Sequence, residues 1–488
     1  MVFPTGPIIY EINTRVWLRD LCRKYRRPVE LGTVPLEEWD ALASLGIDAL
    51  WLMGVWERSP RGVRIARNDQ GLRKEYALAL PDVSPEDVVG SPYSIHRYKV
   101  EKRLGGSEGL AHARKMLASR GIGLILDFVP NHVAADHPWV NEHPEFFIEG
   151  NGEDLVLAPY EFFVSGGRIF ACGRDPFFSP WTDTAQLNAY HPGFRKEAAE
   201  TLLKIAALCD GVRCDMAMLA VGGVFEKTWM SRAGEAADKE FWEEIISHVR
   251  ARYPEFLFIA EAYWDLEWEL QRQGFDFCYD KRLYNRLVGG KAEDLRLHLC
   301  AELDFQRRLI RFIENHDEPR AASAFPGPAN RAAAVIMATL PGAKLFHEGQ
   351  FEGRKIKLPL QLGRRPTEEV DERLCAFYRR LLSVIRSPSF REGAWGLCET
   401  IDRPENGTHK NLLSWCLRGH EQRFLVVVNV SHQRSQGLVR VPLVEIKGVR
   451  VVLNDLLKSL KYERPGDEMV DRGLSVDLDP YGFHVFEF

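Results

Sequence analysis

The run Gly211-Val212-Arg213-Cys214-Asp215 follows a helix-like approach, Leu202 to Leu208, and reads as a short buried strand that carries an arginine and stops on a carboxylate. Side chains alternate along a strand, so Arg213 and Asp215 share one face and Cys214 takes the other, as a structural thiol. Two charges on a buried face must be paired or engaged in chemistry. Taken alone, the run allows Asp215 to cap a following helix and Arg213 to form a structural ion pair. The pattern recurs, however. Leu124-Ile125-Leu126-Asp127 ends on an acid, Phe256-Leu257-Phe258-Ile259-Ala260-Glu261 ends on another, and Leu309 to Ile313 leads into Glu314-Asn315-His316-Asp317. Strand-like segments that finish on acids, spread over most of the chain, predict one site assembled from strand ends.

Helical periodicity fills the intervals. Strands are expected at Ile8 to Trp17, Ile47 to Leu52, the run ending at Asp127, Val212 to Asp215, Phe256 to Glu261, Phe275 to Tyr279, Ile310 to Ile313 and Ala343 to Phe346. Helices are expected at Leu36 to Leu45, Glu108 to Ser119, Phe194 to Leu208, Ala236 to Arg252 and Glu369 to Ile385. Alternating strands and helices build a parallel sheet, and eight strands suggest a closed α/β barrel, the (β/α)8 or TIM fold. Gly54 to Gly106 reads as a long polar connection of the kind that carries function. Aromatic, proline-punctuated sequence interrupts the alternation after the third strand, and past Ser387 short β runs replace helical periodicity. The expected organisation is a barrel of residues 1–132 and 193–388, a small inserted domain of residues 133–192, and a C-terminal all-β sandwich of residues 389–488.

Composition narrows the function. The 488 residues are 45% hydrophobic and 27% charged with a net charge of −5, so no basic excess points to nucleic acid and no polybasic run to a membrane surface. The start lacks a charged region followed by an apolar one, and no apolar run reaches the roughly 18 residues a bilayer demands. Nine cysteines scattered without CxxC spacing fit a reducing, cytoplasmic setting better than a disulfide framework. Nothing in the sequence specifies an oligomeric state.

In a (β/α)8 barrel the site lies at the C-terminal strand ends, which gathers Asp127, Asp215, Glu261 and Asp317 with His132, Arg213 and His316. Such a carboxylate ring suits metal binding or glycosidic cleavage. No strand end offers the His-rich set of a metal-dependent hydrolase. Retaining glycoside hydrolysis needs two carboxylates about 5–5.5 Å apart, one nucleophile and one acid then base.

Four stretches, Asp127-Phe-Val-Pro-Asn131-His132, Gly211-Val-Arg213-Cys-Asp215, Ile259-Ala-Glu261-Ala and Phe312-Ile-Glu-Asn315-His316-Asp317, resemble in order the signature regions of the α-amylase family, glycoside hydrolase family 13. The resemblance covers almost the whole chain. It implies Asp215 as nucleophile, Glu261 as general acid/base and Asp317 as the third catalytic carboxylate. Tyr93 would stack under the reacting sugar, with His132, Arg213 and His316 as further substrate-binding residues. Asp127 and Asn131 would hold loops. Trp56, Trp181 and Trp264 lie near strand ends, where packing is the simplest role for each.

Departures bear on substrate and metal. Met216-Ala-Met-Leu219 stands where many members carry a Lys-His pair that touches sugar and helps hold calcium, and Gln186 stands where an Asp is common. Asn131 resembles one calcium ligand of the family. No cofactor is therefore assigned, and calcium stays open. Asp136-His137-Pro138-Trp139 resembles a stretch in maltosyltransferases of the same family. The resemblance implies a retaining hydrolase of α-1,4-linked gluco-oligosaccharides. The alternative is a transglycosylase, isomerase or phosphorylase using the same covalent intermediate. A catalytically silent carbohydrate-binding protein would be expected to lack one of the three carboxylates, and all are present.

Overall fold

The computed structural model describes residues 2–403, 406–419 and 422–488. Eight strands close a parallel barrel: β1 (Ile8–Asn13), β2 (Ala49–Met53), β3 (Gly123–Phe128), β4 (Gly211–Cys214), β5 (Leu257–Ala260), β6 (Phe277–Tyr279), β7 (Leu309–Arg311) and β8 (Ala343–His347). Neighbours around the barrel are neighbours in sequence. The strands are apolar runs buried along their whole length, as a sheet covered on both faces requires. In β4, Gly211 lies opposite Ile125 and Leu257, while Cys214 lies opposite Phe128 and Ala260. A Cβ on Gly211 would sit 2.8 Å from that of Leu257, so only glycine admits this approach. The register sets the residues following β3, β4 and β5 at one level.

Three expectations need correction. β1 stops at Asn13 rather than running to Trp17: the Asn13 side chain accepts from the Val16 N–H at 3.3 Å and starts the helix Thr14–Tyr25, whose apolar Val16, Trp17 and Leu18 face inward. The stretch between Gly54 and Gly106 is not loop alone. It holds the helices Pro60–Asn68 and Gln70–Ala79, capped by Ser59 and Asp69, and a hairpin of Trp56–Arg58 with Ile95–Val100. Both helices are short and rich in charged and amide side chains, so few apolar residues mark them in the sequence. The helix expected from Ala236 begins at Phe241.

Between β3 and the helix Pro192–Ala206, His132–Ala134 pairs antiparallel with Thr184–Gln186, and Phe162–Ser165 with Arg168–Ala171. Toward the C-terminus a six-stranded and a three-stranded antiparallel sheet share one core, Leu425, Val427, Leu453 and Phe486 from the larger meeting Val439, Val476 and Leu478 from the smaller. In this core the thiols of Cys398 and Cys416 lie 3.2 Å apart, a pairing that the sequence spacing does not announce.

The chain divides into two compact units, one of Tyr10–Tyr279 with Lys357–Thr367, the other of Pro4–Ile9, Asp280–Ile356 and Glu368–Phe488. Among the described residues no helix is long and apolar enough to cross a membrane.

Candidate active site

In the first unit Arg213 organises the strand ends. Its guanidinium is buried, with Nη1 2.5 Å from Asp215 Oδ1 and Nη2 2.7 Å from Glu261 Oε2. The first is an aligned hydrogen bond; the second is an ion pair without that alignment, and Nε has no hydrogen-bond partner. Three rings surround the cation, Tyr93 at 5.1 Å, Trp51 at 5.4 Å and Tyr279 at 5.7 Å. Burial alone would pull the arginine pKa down, but Glu261, Tyr93, Tyr279 and Asp215 hold it above its ordinary value, so the cation persists at any working pH.

Glu261 is held from three directions. Oε2 also accepts the Met216 N–H at 2.6 Å, and Oε1 accepts the Tyr263 hydroxyl at 2.8 Å. Met216 supplies its N–H from the left-handed region, φ 43°, an uncommon conformation for a residue with a side chain. The backbone is stitched across strands as well: Asp215 N–H donates to Phe128 O at 2.8 Å, Glu261 N–H to Cys214 O at 3.0 Å and Ala217 N–H to Glu261 O at 3.1 Å. Tyr263, Trp51 and Tyr279 are absent from the residues singled out in the sequence. Tyr263 lies past the end of β5 at Ala260, where strand alternation no longer fixes a face, so spacing does not announce it. Cys214 is fully buried, and burial pushes its thiol far above the usual range, as befits a structural residue.

The first signature stretch supports the second. Asp127 accepts the Trp51 indole N–H at 3.0 Å and the Gly54 N–H at 2.8 Å. Gly54 sits at φ +76°, and a Cβ there would lie 2.8 Å from that of Pro92, in the segment that carries Tyr93. The Trp56 indole donates to the Asp127 carbonyl at 2.8 Å, which makes Trp56 a packing residue. His132 is buried, its ring 5.0 Å from Trp181 and hydrogen-bonded to the Tyr93 backbone; burial drives its pKa down to about 3, so the imidazole is neutral. The structure thus brings Tyr93, His132, Arg213, Asp215 and Glu261 together. Trp264 is partly exposed, edge-on to Phe177 at 5.0 Å. Asp136 caps the helix Pro60–Asn68 through the Arg61 N–H at 2.9 Å, and the His137 ring accepts the Trp139 N–H at 3.1 Å, so that motif is occupied with local structure.

Calcium does not fit Asn131. Its Oδ1 and its carbonyl accept from Gln186 Nε2 at 2.9 and 3.0 Å, and its Nδ2 donates back to Gln186 Oε1 at 3.2 Å. The oxygens a cation would take are already engaged by a neutral amide. No group of three or more His, Cys, Asp or Glu suited to a metal occurs among the described residues. The departing segment after Asp215 forms a buried turn, Ala217–Ala220, fixed by the Trp242 indole donating to Ala217 O at 2.8 Å.

In the second unit, Asn315 Oδ1 accepts the N–H groups of Asp317 and Glu318 at 2.9 and 3.0 Å, a turn that presents Asp317 partly exposed beside His316, whose Nε2 lies 2.9 Å from Asp317 Oδ2. The neighbouring Glu314 serves differently. Burial would raise its pKa, but Arg320 at 2.6 Å and His347 at 3.1 Å hold it below the usual value, a closed structural cluster.

No family model matches the chain. The α-amylase MalA of Haloarcula japonica is 27% identical over 395 residues, which cover 77% of this chain and 48% of that protein. The chain is similar to α-amylases. An α-1,4-glucan:maltose-1-phosphate maltosyltransferase of Picrophilus torridus is 21% identical over 447 residues, 87% of this chain and 63% of that relative. The chain therefore spans about half to two thirds of the curated relatives it is compared with. A maltogenic α-amylase of Thermotoga neapolitana shares the fold at TM-score 0.70 and 17% identity, covering 99% of this chain and 98% of that one.

Proposed function

We propose that the protein is a retaining α-glucoside hydrolase acting on α-1,4-linked gluco-oligosaccharides. The observation that carries the reading is the guanidinium of Arg213 bridging Asp215 and Glu261 at 2.5 and 2.7 Å. Carboxylates on adjacent nitrogens of one planar cation are held close, as a double displacement requires and an intervening water would not allow. Asp215 attacks the anomeric carbon while Glu261 protonates the departing oxygen; Glu261 then activates water to release the product. Oε2 of Glu261 already accepts a backbone N–H and faces the guanidinium, so Oε1, beside Tyr263, is the oxygen that passes the proton to and from the reacting groups. Tyr93 and the neutral His132 contact the reacting sugar. Asp317, on the segment after β7, is the third carboxylate, with His316 beside it. A cytoplasmic setting completes the reading, supported by the cysteines, which are free thiols among the described residues.

Asp215→Asn and Glu261→Gln should each abolish turnover with the circular dichroism spectrum intact; substantial residual activity in either sinks the assignment. A second reading, transfer to a sugar or phosphate, draws on the maltosyltransferase likeness. Chromatography of products from maltotriose and maltoheptaose, with and without phosphate, separates the two. Glucose and maltose alone support hydrolysis, whereas longer chains, trehalose or a sugar phosphate reject it.

A further inference from the structure

A cavity of about 580 Å³ lies wholly within the second unit, away from Asp317, between the start of the helix Pro328–Thr339, the segment around Lys355 and the start of the helix Glu372–Ile385. Arg331, Lys355 and Arg373 line it, and none of their side chains makes a hydrogen bond or ion pair among the described residues. Two acids also line it. Asp371 is engaged, its Oδ1 accepting the N–H groups of Arg373 and Leu374 at 3.0 Å each, which leaves Glu369 against three cations.

The helix Pro328–Thr339 opens into this cavity without a side-chain cap: Gly327, at φ 61°, has no side chain to offer its first-turn N–H groups. An uncapped helix start favours an anion. An independent observation agrees. Asn330 lines the cavity, is only 3% exposed, and its Nδ2 has no hydrogen-bond partner. The amide orientation is fixed by a relay. His347 N–H donates to Gln350 Oε1 at 3.2 Å, Gln350 Nε2 donates to Tyr378 Oη at 3.1 Å, and Tyr378 Oη donates to Asn330 Oδ1 at 3.1 Å. Each step has one consistent direction, so the unmatched group is a donor, and a buried unmatched donor is costly without a ligand.

We infer that this cavity binds a phosphate-bearing small molecule, its phosphate seated between the helix start, Asn330 Nδ2 and the guanidinium groups of Arg331 and Arg373. The volume exceeds a bare phosphate, and Pro326, Val370 and Leu374 give the remainder an apolar wall suited to the body of a sugar phosphate. The site is independent of the catalytic reading.

Thermal-shift and calorimetric titration of the full chain with inorganic phosphate, glucose 6-phosphate and glucose tests it. Both phosphate-bearing ligands should bind saturably and glucose should not. Arg331→Gln and Arg373→Gln, on exposed side chains, should each weaken binding about tenfold, the worth of one charge-assisted hydrogen bond. Asn330→Asp keeps the acceptor for Tyr378 and should abolish binding. Tighter binding of glucose 6-phosphate than of phosphate assigns the apolar wall to the sugar; equal binding assigns the site to the free anion. Absence of saturable phosphate binding, or affinity unchanged in the Arg331→Gln/Arg373→Gln double variant, overturns the inference.

Discussion

Replacing Arg213 with methionine should have opposite consequences in two backgrounds. In the natural chain the substitution leaves Asp215, 5% exposed, and Glu261, 3% exposed, without their common cation. Breaking a buried ion pair from one side costs about 3–5 kcal/mol. Each ring contact forfeited adds about 0.5–2 kcal/mol, partly recovered by the methionine's own packing. Neutralising the partners first, as Asp215→Asn/Glu261→Gln, turns the logic round: Arg213 becomes the uncompensated charge, and its replacement should be neutral or stabilising. The coupling between the two sites is then at least about 3 kcal/mol, well beyond the scatter of independent substitutions. Urea unfolding followed by tryptophan fluorescence on the four proteins measures it. An equal cost in both backgrounds would refute the view that the carboxylates and the guanidinium hold one another in place.

Three further outcomes are expected. Excess EDTA should leave the melting temperature unchanged, because Gln186 engages the Asn131 oxygens; a drop reversed by calcium would contradict this. The unfolded chain protonates His132 near the ordinary value of about 6.5, whereas the buried ring resists until about pH 3. Stability should therefore fall as the pH drops through that window, by about 1.4 kcal/mol per pH unit from this ring, and His132→Gln should flatten the slope between pH 7 and pH 5. Mild oxidation with diamide should join Cys398 to Cys416, their sulfurs 3.2 Å apart, as peptide mapping under non-reducing conditions would show. Closing that loop should stabilise the chain by about 3 kcal/mol, and Cys416→Ser should remove both effects.

The barrel was legible because its strands are short apolar runs with acids at their ends. β4 and β5 fall within a residue or two of their expected limits, and Arg213 and Asp215 share a face as alternation demands. Where the sequence misled, a local signal was outweighed. Val16 and Trp17 extend an apolar run that Asn13 has already closed, and the polar helices Pro60–Asn68 and Gln70–Ala79 announce themselves only through Ser59 and Asp69. The site was legible in its charges but not in its neutral parts. The Met216 N–H is backbone, its role created by a left-handed turn, and the exchange of an ion for an amide at Asn131 depends on two residues that only strand pairing brings together. Pairs such as Cys398 and Cys416 meet across strands, and no spacing rule reveals them.

The backbone bonds that run from Phe128 to Asp215, from Cys214 to Glu261 and from Glu261 to Ala217 make the acids part of the barrel's own ladder. Their positions are therefore inherited from the most slowly opening part of the molecule, and their amides should be among the last to exchange with deuterium. Such an arrangement divides labour within the chain. Apart from Gly54, Tyr93 and His132, the segments between Gly54 and Gly106 and between β3 and the helix Pro192–Ala206 can gain, lose or exchange residues without moving Asp215 and Glu261. Changes of substrate or acceptor during evolution would then be bought in those excursions, while the chemistry beneath them stays unaltered.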